Sequence, residues 1–195
     1  MTGPVRKLHS EVIANEWGTL KRVTFELQRR DGTWQAQKRE IYDKGDGAAV
    51  LMRDPARDTV ILTRQFRLPA YLHETPGYLL EVPAGKLEGD DPETCIRREA
   101  EEETGYRITG LEPRGASYVS PGAITERIYL FSAHYSATDR VGAGGGLHEE
   151  GEDIEVVELP FDAAFAMIGT GDIVDAKSIL LLMDEKLRRL KQGAQ

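Results

Sequence analysis

The feature that most constrains the fold of this chain is a capped helical segment set among stretches with strand patterns. Asp91 suits a helix N-cap, Pro92 suits the first helical position, and Gly105 ends the segment after Thr104. Strand patterns lie on both sides of this helix, and two further helices are predicted near the C-terminus. This order is typical of an α+β fold in which a mixed sheet lies between helical layers, an α/β/α sandwich.

The N-terminal part is predicted to form a β-hairpin. Residues 22–29 alternate between apolar and polar, Asp31 and Gly32 turn the chain, and residues 34–42 return. The other predicted strands are 48–52, 59–66, 79–82, 116–119, 127–135 and 154–159. The later helices are predicted at 161–168 and 175–190, the last with apolar residues at helical spacing: Ile179, Leu180, Met183, Leu187 and Leu190.

Composition and charge restrict the classes of function. The chain has 195 residues, of which 40% are hydrophobic and 30% are charged, so it is expected to be globular. A formal net charge of −8 disfavours binding to nucleic acid or to an anionic membrane. The single cysteine, Cys95, excludes an internal disulfide, and no signal-peptide core or membrane-spanning run is visible, which predicts a cytoplasmic protein. We expect an N-terminal β-strand segment at 1–43 and a main domain at 44–195.

The chemistry is concentrated in the capped helix. Glu99, Glu102 and Glu103 fall within one arc of about 100° on its surface, where like charges repel. Carboxylates held close on a rigid element are ligands that Mg²⁺ or Mn²⁺ prefers. The alternative interpretation is a solvated acidic helix face.

This region resembles a known family. Residues 98–106, Arg-Glu-Ala-Glu-Glu-Glu-Thr-Gly-Tyr, match the end of the Nudix box, and Gly85 matches its first glycine, although the span from Gly85 to Gly105 is one residue shorter than the common pattern. The shortened box is similar to that of the bacterial GDP-mannose pyrophosphatases within this family. Similarity to them extends over residues 10–190 and includes the segments 42–47, 64–67, 120–122, 143–146 and 152–155.

The resemblance implies the Nudix fold and metal-dependent hydrolysis of a nucleoside diphosphate sugar, with GDP-mannose giving GMP and mannose 1-phosphate. The alternative substrate is ADP-ribose, giving AMP and ribose 5-phosphate. A non-catalytic Nudix-fold sensor of nucleotide sugars is less favoured, because the box glutamates Glu99, Glu102 and Glu103 are intact. The acidic charge disfavours mRNA decapping.

The resemblance also implies roles for the box residues. Glu99, Glu103 and the main-chain carbonyl of Ala84 are expected to bind Mg²⁺, with Mn²⁺ as an alternative, and Glu102 to bind it directly or through water. We expect Glu103 to be an exposed ligand and Arg98 to orient a glutamate.

A base that activates water is sought in the acidic segment 149–153, which follows the glycine-rich run 141–146. By resemblance the base is Glu152, which is also a candidate metal ligand, with Glu150 as second choice and Glu102 as the next. We expect the glycine-rich run to be a flexible hinge that lets this loop close over the substrate.

Further positions match substrate contacts of the family. Trp17 is expected to stack on a base, Arg67 to contact phosphate or nucleotide, and the segment 38–40 to reach the nucleotide of a neighbouring subunit in a homodimer. The full set of expected substrate-binding residues is Trp17, Lys38, Arg39, Glu40, Arg67, Gly85, Lys86, Glu126 and Lys177.

Overall fold

The chain divides into two compact units. The computed structural model describes residues 3–73 and 76–193. The first unit contains the chain up to residue 46 together with residues 118–127, and the second contains residues 47–117 and those from 128 onward. The placement of a functional domain boundary at residue 43 stays a prediction.

The first unit is built on a three-stranded antiparallel sheet in the order β1 (Val5–Asn15), β2 (Thr19–Gln28) and β3 (Trp34–Asp43). Strands β2 and β3 form the predicted hairpin, and the Asp31 carboxylate accepts hydrogen bonds from the amide and hydroxyl of Thr33 in its turn. The additional strand β1 has no buried residue, so its formation rests on main-chain pairing with β2. Burial patterning therefore could not predict it.

The second unit is built on a mixed sheet. Its strands are β4 (Gly47–Asp54), β5 (Thr59–Phe66), β6 (Tyr78–Glu81), β7 (Ala84–Lys86), β8 (Thr109–Tyr118), β9 (Arg127–His134) and β10 (Glu155–Pro160). They pair in the order β10-β5-β4-β9-β8, with β6 on β5 and β7 on β4. The β4–β9 pair is parallel, whereas β5 is antiparallel to β4, β6 and β10. Strand β8 begins at Thr109, earlier than the predicted start at residue 116.

Within residues 3–73 and 76–193, four α-helices accompany the strands: α1 (Leu68–Tyr71), α2 (Pro92–Thr104), α3 (Phe161–Thr170) and α4 (Ala176–Gly193). The predicted bounds of α2 are confirmed. Asp91 caps its first turn by accepting from the amides of Glu93 and Thr94, and Gly105 ends it in the left-handed conformation with φ of 78°. Among the described residues, no helix is long and apolar enough to cross a membrane.

The central strand β4 explains the layered arrangement of the second unit. Leu51 belongs to a core cluster with Phe161 of α3, whereas Val50 and Met52 belong to a second cluster with Ile96 of α2. Successive residues of a strand point to opposite faces, so the sheet is covered by α2 on one face and by α3 and α4 on the other. The predicted α/β/α sandwich with a mixed sheet is confirmed.

Helix α4 buries a different face from the one that its apolar repeat suggested. The buried positions are Ser178, Leu181, Leu182 and Glu185. The apolar residues that lie exposed are Leu180, Met183, Leu187 and Leu190. Two adjacent apolar stripes run along this helix, and spacing alone does not tell which of them meets the sheet.

Candidate active site

Glu103 lies under strand β7 and not at the surface. Its residue exposure is 2%, and its Oε2 accepts a hydrogen bond from the amide of Ala84 over 3.2 Å. The expectation of an exposed carboxylate is therefore wrong. Burial follows from the pairing of β7 with β4, which places Ala84 over the last turn of α2.

The other box glutamates line the same helix. A Cβ atom at Gly85 would overlap the carboxyl group of Glu99, so a larger residue there would displace the Glu99 side chain. Arg98 contacts both neighbouring acids, with Nη2 lying 3.0 Å from Glu99 Oε1 and Nη1 lying 3.2 Å from Glu102 Oε2. Arg98 thus holds two of the three glutamates in place.

The electrostatics of Glu99 and Glu103 favour a bound cation. Burial, followed by the nearby charge of Glu99, raises the pKa of Glu103 to about 8. Burial also raises the pKa of Glu99 to about 7, with the repulsion of Glu102 adding to it and Arg98 opposing it. Two crowded carboxylates with little positive charge around them are costly to keep ionised. A bound divalent cation lowers this cost.

The donor set fits a hard metal ion such as Mg²⁺ or Mn²⁺: carboxylate oxygens together with a main-chain carbonyl. In the parts of the chain that the structure describes, no three acidic, histidine or cysteine side chains are already gathered closely enough to enclose an ion. Glu102 is engaged by Arg98, and Glu152 is engaged by the amide of Leu147. Full coordination therefore requires side-chain rotation or water.

The glycine-rich run is fastened to the C-terminal end of α2. The amide of Gly145 donates to the carbonyl of Glu103 over 2.9 Å, and the amide of Gly146 donates to the carbonyl of Glu102 over 3.2 Å. A Cβ atom at Gly144 would lie 2.5 Å from the carbonyl carbon of Thr104. These glycines allow close packing on the unsatisfied carbonyls of the helix end, and the role of the run as a hinge stays a prediction.

This packing brings the acidic loop to the box glutamates. The Oε2 atom of Glu152 accepts from the amide of Leu147 over 2.9 Å. The charge of Glu152 contributes to the raised pKa values of both Glu99 and Glu103. Glu150 lies exposed in a short 3₁₀ turn at 148–150, and it contributes to the shift of Glu99. The role of either residue as the base stays a prediction.

Arg67 and Lys177 meet at a residue that sequence reasoning missed. Glu81, 2% exposed, accepts two hydrogen bonds from Arg67, at 2.8 and 2.9 Å, and one from Lys177 Nζ at 2.5 Å. The one sequence feature that could have pointed to Glu81 is its position as an acid at the end of the otherwise apolar strand β6. Only the fold shows that two distant cations converge on it.

The remaining predicted substrate residues lie elsewhere. Lys86 is in β7, and its carbonyl accepts from the thiol of the buried Cys95. The first unit contains Trp17, Lys38, Arg39, Glu40 and Glu126. Trp17 is 68% exposed, whereas Glu126 is buried with Lys44 Nζ 2.5 Å from its Oε1. The roles of these five residues in substrate binding stay predictions.

Comparison with known families identifies the class of protein. Residues 43–182 match the family model described as the NUDIX domain, and residues 4–42 match the model described as the N-terminal domain of GDP-mannose pyrophosphatase NudK. The chain belongs to the Nudix family and is a Nudix hydrolase.

Its relatives carry a more particular name. The chain is 45% identical to a GDP-mannose pyrophosphatase of Pectobacterium atrosepticum over 96% of its own length and 97% of the relative's. It is 44% identical to a GDP-mannose pyrophosphatase of Escherichia coli strain SMS-3-5, over 93% of this chain and 95% of that one. The relative of that name in Shigella dysenteriae is also 44% identical, with the same coverage.

Proposed function

We propose that this protein hydrolyses the pyrophosphate bond of a nucleotide sugar, and that GDP-mannose is converted to GMP and mannose 1-phosphate. The observation that supports this most is the similarity to GDP-mannose pyrophosphatases along nearly the whole chain, including an N-terminal part with its own matching family model. The intact Glu99, Glu102 and Glu103 favour an enzyme over a sensor, since a sensor does not need them.

The metal would be held by Glu99, Glu103 and the carbonyl of Ala84, with Glu102 and Glu152 as further oxygen donors. When bound, Mg²⁺ or Mn²⁺ supplies neutralisation of phosphate charge and acidification of water. The proposed base is Glu152. Its Oε2 accepts a hydrogen bond from the Leu147 amide, and a carboxylate held in this way would accept the proton of the attacking water. Glu150 is the second candidate for this role, and Glu102 is the third.

The substrate would be held by cations and by the close main chain. Arg67 and Lys177 are proposed to bind phosphate oxygens, while Gly85 and Lys86 border the diphosphate from β7. Lys38, Arg39 and Glu40 are proposed to reach the nucleotide of a neighbouring subunit in a homodimer. Trp17 is proposed to stack on the base, and Glu126 to contact the sugar or a phosphate. Exposed apolar residues on β1 support such an interface: Val5, Leu8, Val12 and Ile13. A cytoplasmic location stays a prediction.

A substrate panel tests the proposal. The purified protein is incubated with GDP-mannose, ADP-ribose, ADP-glucose and NADH in Mg²⁺, and the products are identified by mass spectrometry. We expect the highest kcat/KM for GDP-mannose, with GMP and mannose 1-phosphate as products. Preference for ADP-ribose with release of AMP would reassign the substrate, and binding without turnover of any compound would favour the sensor.

A further inference from the structure

The buried carboxylate of Glu81 joins the two cations of the second unit that face substrate phosphate in the proposed function. Arg67 donates through Nε to Oε1 over 2.8 Å and through Nη2 to Oε2 over 2.9 Å. Lys177 Nζ donates to the same Oε2 over 2.5 Å. We propose that Glu81 is a positioning residue that sets Arg67 and Lys177 side by side to receive the phosphate groups of the substrate. The inference rests on the proposed function, which makes these cations substrate contacts.

A negative charge at this position is required for the two cations to be neighbours. A guanidinium and an ammonium that share one acceptor atom repel each other strongly in a partly buried environment. Burial alone would raise the pKa of Glu81, but the hydrogen bonds and charges of Arg67 and Lys177 lower it to about 2. Glu81 is therefore ionised at neutral pH and cancels part of that repulsion.

The carboxylate is itself held in place by the fold. Glu81 pairs with Thr63 in the β5–β6 ladder, and the Thr63 hydroxyl donates to its carbonyl over 3.3 Å. The next residue, Val82, donates its amide to the Ser178 hydroxyl over 2.8 Å, which ties the end of β6 to the first turn of α4. Lys177 belongs to that same turn, so the carboxylate and one of its cations move as a unit.

Asp175 is the second carboxylate that holds Lys177 in place. Its Oδ2 accepts from the amide and the hydroxyl of Ser178, while its Oδ1 accepts from Lys177 Nζ over 2.9 Å. The Lys177 side chain is 12% exposed and is thus fixed between two carboxylates. A buried lysine fixed in this way presents its ammonium in one orientation.

Both cations keep donor capacity beyond these contacts. An ammonium has three N–H groups, and the contacts with Glu81 and Asp175 use two of them. The pair formed by Arg67 and Glu81 uses Nε and Nη2, so Nη1 is not part of it, and the Arg67 side chain is 41% exposed. A guanidinium gripped along one edge and open to solvent is arranged to bind a further anion.

The experiment measures binding of inorganic pyrophosphate to the intact protein in Mg²⁺ by calorimetry, together with KM and kcat for GDP-mannose. Glu81→Gln removes the charge and keeps the shape. We expect its Kd for pyrophosphate and its KM to rise about tenfold or more, with a smaller change in kcat. Unchanged Kd and KM in a folded variant would overturn the proposal.

The chain offers a matched control on the same helix. Glu185 is 3% exposed and also joins two cations, with Arg53 Nη1 at 2.5 Å and Arg189 Nε at 2.8 Å. It lies eight residues beyond Lys177, about 12 Å along the helix. Glu185→Gln should lower stability and leave Kd and KM unchanged. Equal effects of the two variants on Kd would mean that Glu81 acts only through stability.

A double-mutant cycle separates positioning from a general loss of structure. In an Arg67→Ala background, Glu81→Gln should weaken pyrophosphate binding several-fold less than it does in the native protein, because one of the held cations is gone. Additive effects would overturn the proposal. If Glu81→Gln does not fold, the same cycle is run with Glu81→Asp, which withdraws the carboxylate by one methylene group.

The proposed function can fail separately. If Glu81 and Arg67 are coupled in pyrophosphate binding but no nucleotide sugar is hydrolysed, the positioning role stands and the assigned reaction is wrong. If GDP-mannose is hydrolysed and the cycle is additive, the reaction stands and the positioning role is wrong.

Discussion

The amide of Gly145 donates to the main-chain carbonyl of Glu103, whose side chain is the most buried of the box glutamates. The loop that carries Glu152 is therefore attached through its glycines to the helix that carries the candidate metal ligands. The N–H of Ile154 donates in turn to the carbonyl of Gly145, so the segment beyond Glu152 is held as well. Main-chain contacts thus determine the geometry between the candidate base and the candidate metal ligands.

Substitution of Gly144 should disturb this attachment. A Cβ there would lie 2.5 Å from the Thr104 carbonyl carbon, and the residue has φ of 71°, which side chains disfavour. We expect Gly144→Ala to lower the free energy of unfolding by about 1–3 kcal/mol and to reduce kcat. Urea denaturation and steady-state kinetics measure both. Gly169→Ala, in α3 with open space around it, is the control and should be neutral or slightly stabilising. A fully stable and active Gly144→Ala variant would contradict the attachment.

Removal of the divalent ion should reduce activity and stability together. EDTA should abolish hydrolysis, and Mg²⁺ should raise the Tm of the native protein, because it relieves the repulsion between Glu99 and Glu103. Glu103→Gln should abolish turnover and remain folded, since its amide oxygen can still accept from Ala84. Its Tm in EDTA should equal or exceed that of the native protein and respond less to Mg²⁺. Thermal unfolding measures these shifts, and hydrolysis that persists in EDTA would refute the metal-dependent mechanism.

The base is tested by a pair of isosteric substitutions. A general base contributes about 10²–10⁴-fold to the rate, so Glu152→Gln should lower kcat by that order with little change in KM. If Glu152 acts mainly as a metal ligand, higher Mg²⁺ or Mn²⁺ should restore part of the rate. Glu150→Gln is the matched control from the same loop. If Glu150→Gln loses most of its kcat while Glu152→Gln is nearly normal, Glu150 is the base. If both variants lose little kcat, Glu102 becomes the candidate base.

Low pH should lower the free energy of unfolding through protonation of Glu81. Its pKa is about 2 in the folded chain, below the ordinary value of 4.5. The stabilisation from its ion pairs is therefore complete above pH 4.5 and is lost as the pH falls toward 2. We expect the free energy of unfolding in urea to fall over this interval more steeply in the native protein than in Glu81→Gln. Glu149→Gln, an exposed site, should follow the native curve, and identical slopes for all three proteins would refute this linkage.

Dimerisation should depend on the N-terminal segment. Deletion of residues 1–43 should give a monomer or an aggregate with little activity, as judged by light scattering and turnover. Because such a deletion also removes a sheet, the double substitution Leu8→Asp with Val12→Asp tests the exposed face of β1 directly and should also lower the dimer fraction. Leu72→Asp, at an exposed apolar residue of the second unit, is the control. A fully active monomer would exclude a site shared between subunits.

The sequence by itself determined the local elements and the family. The caps at Asp91 and Gly105, the turn at Asp31, and the glutamate spacing in α2 are short-range features, because their hydrogen bonds and strain arise within a few residues. The Nudix pattern is equally local, since its candidate metal ligands lie on one helix and the strand before it. These features predicted the mixed sheet, the bounds of α2 and the glutamates that lie beside Glu103.

Only the tertiary structure decided what depends on contacts between distant segments. Glu103 is buried because β7 pairs with β4 over α2. The glycine-rich run packs on α2 because its amides donate to unsatisfied carbonyls at the end of that helix. The convergence of Arg67 and Lys177 on Glu81 joins residues almost a hundred positions apart. Such contacts arise from how the sheet and helices pack, which sequence spacing does not encode, and they set the electrostatics of the site.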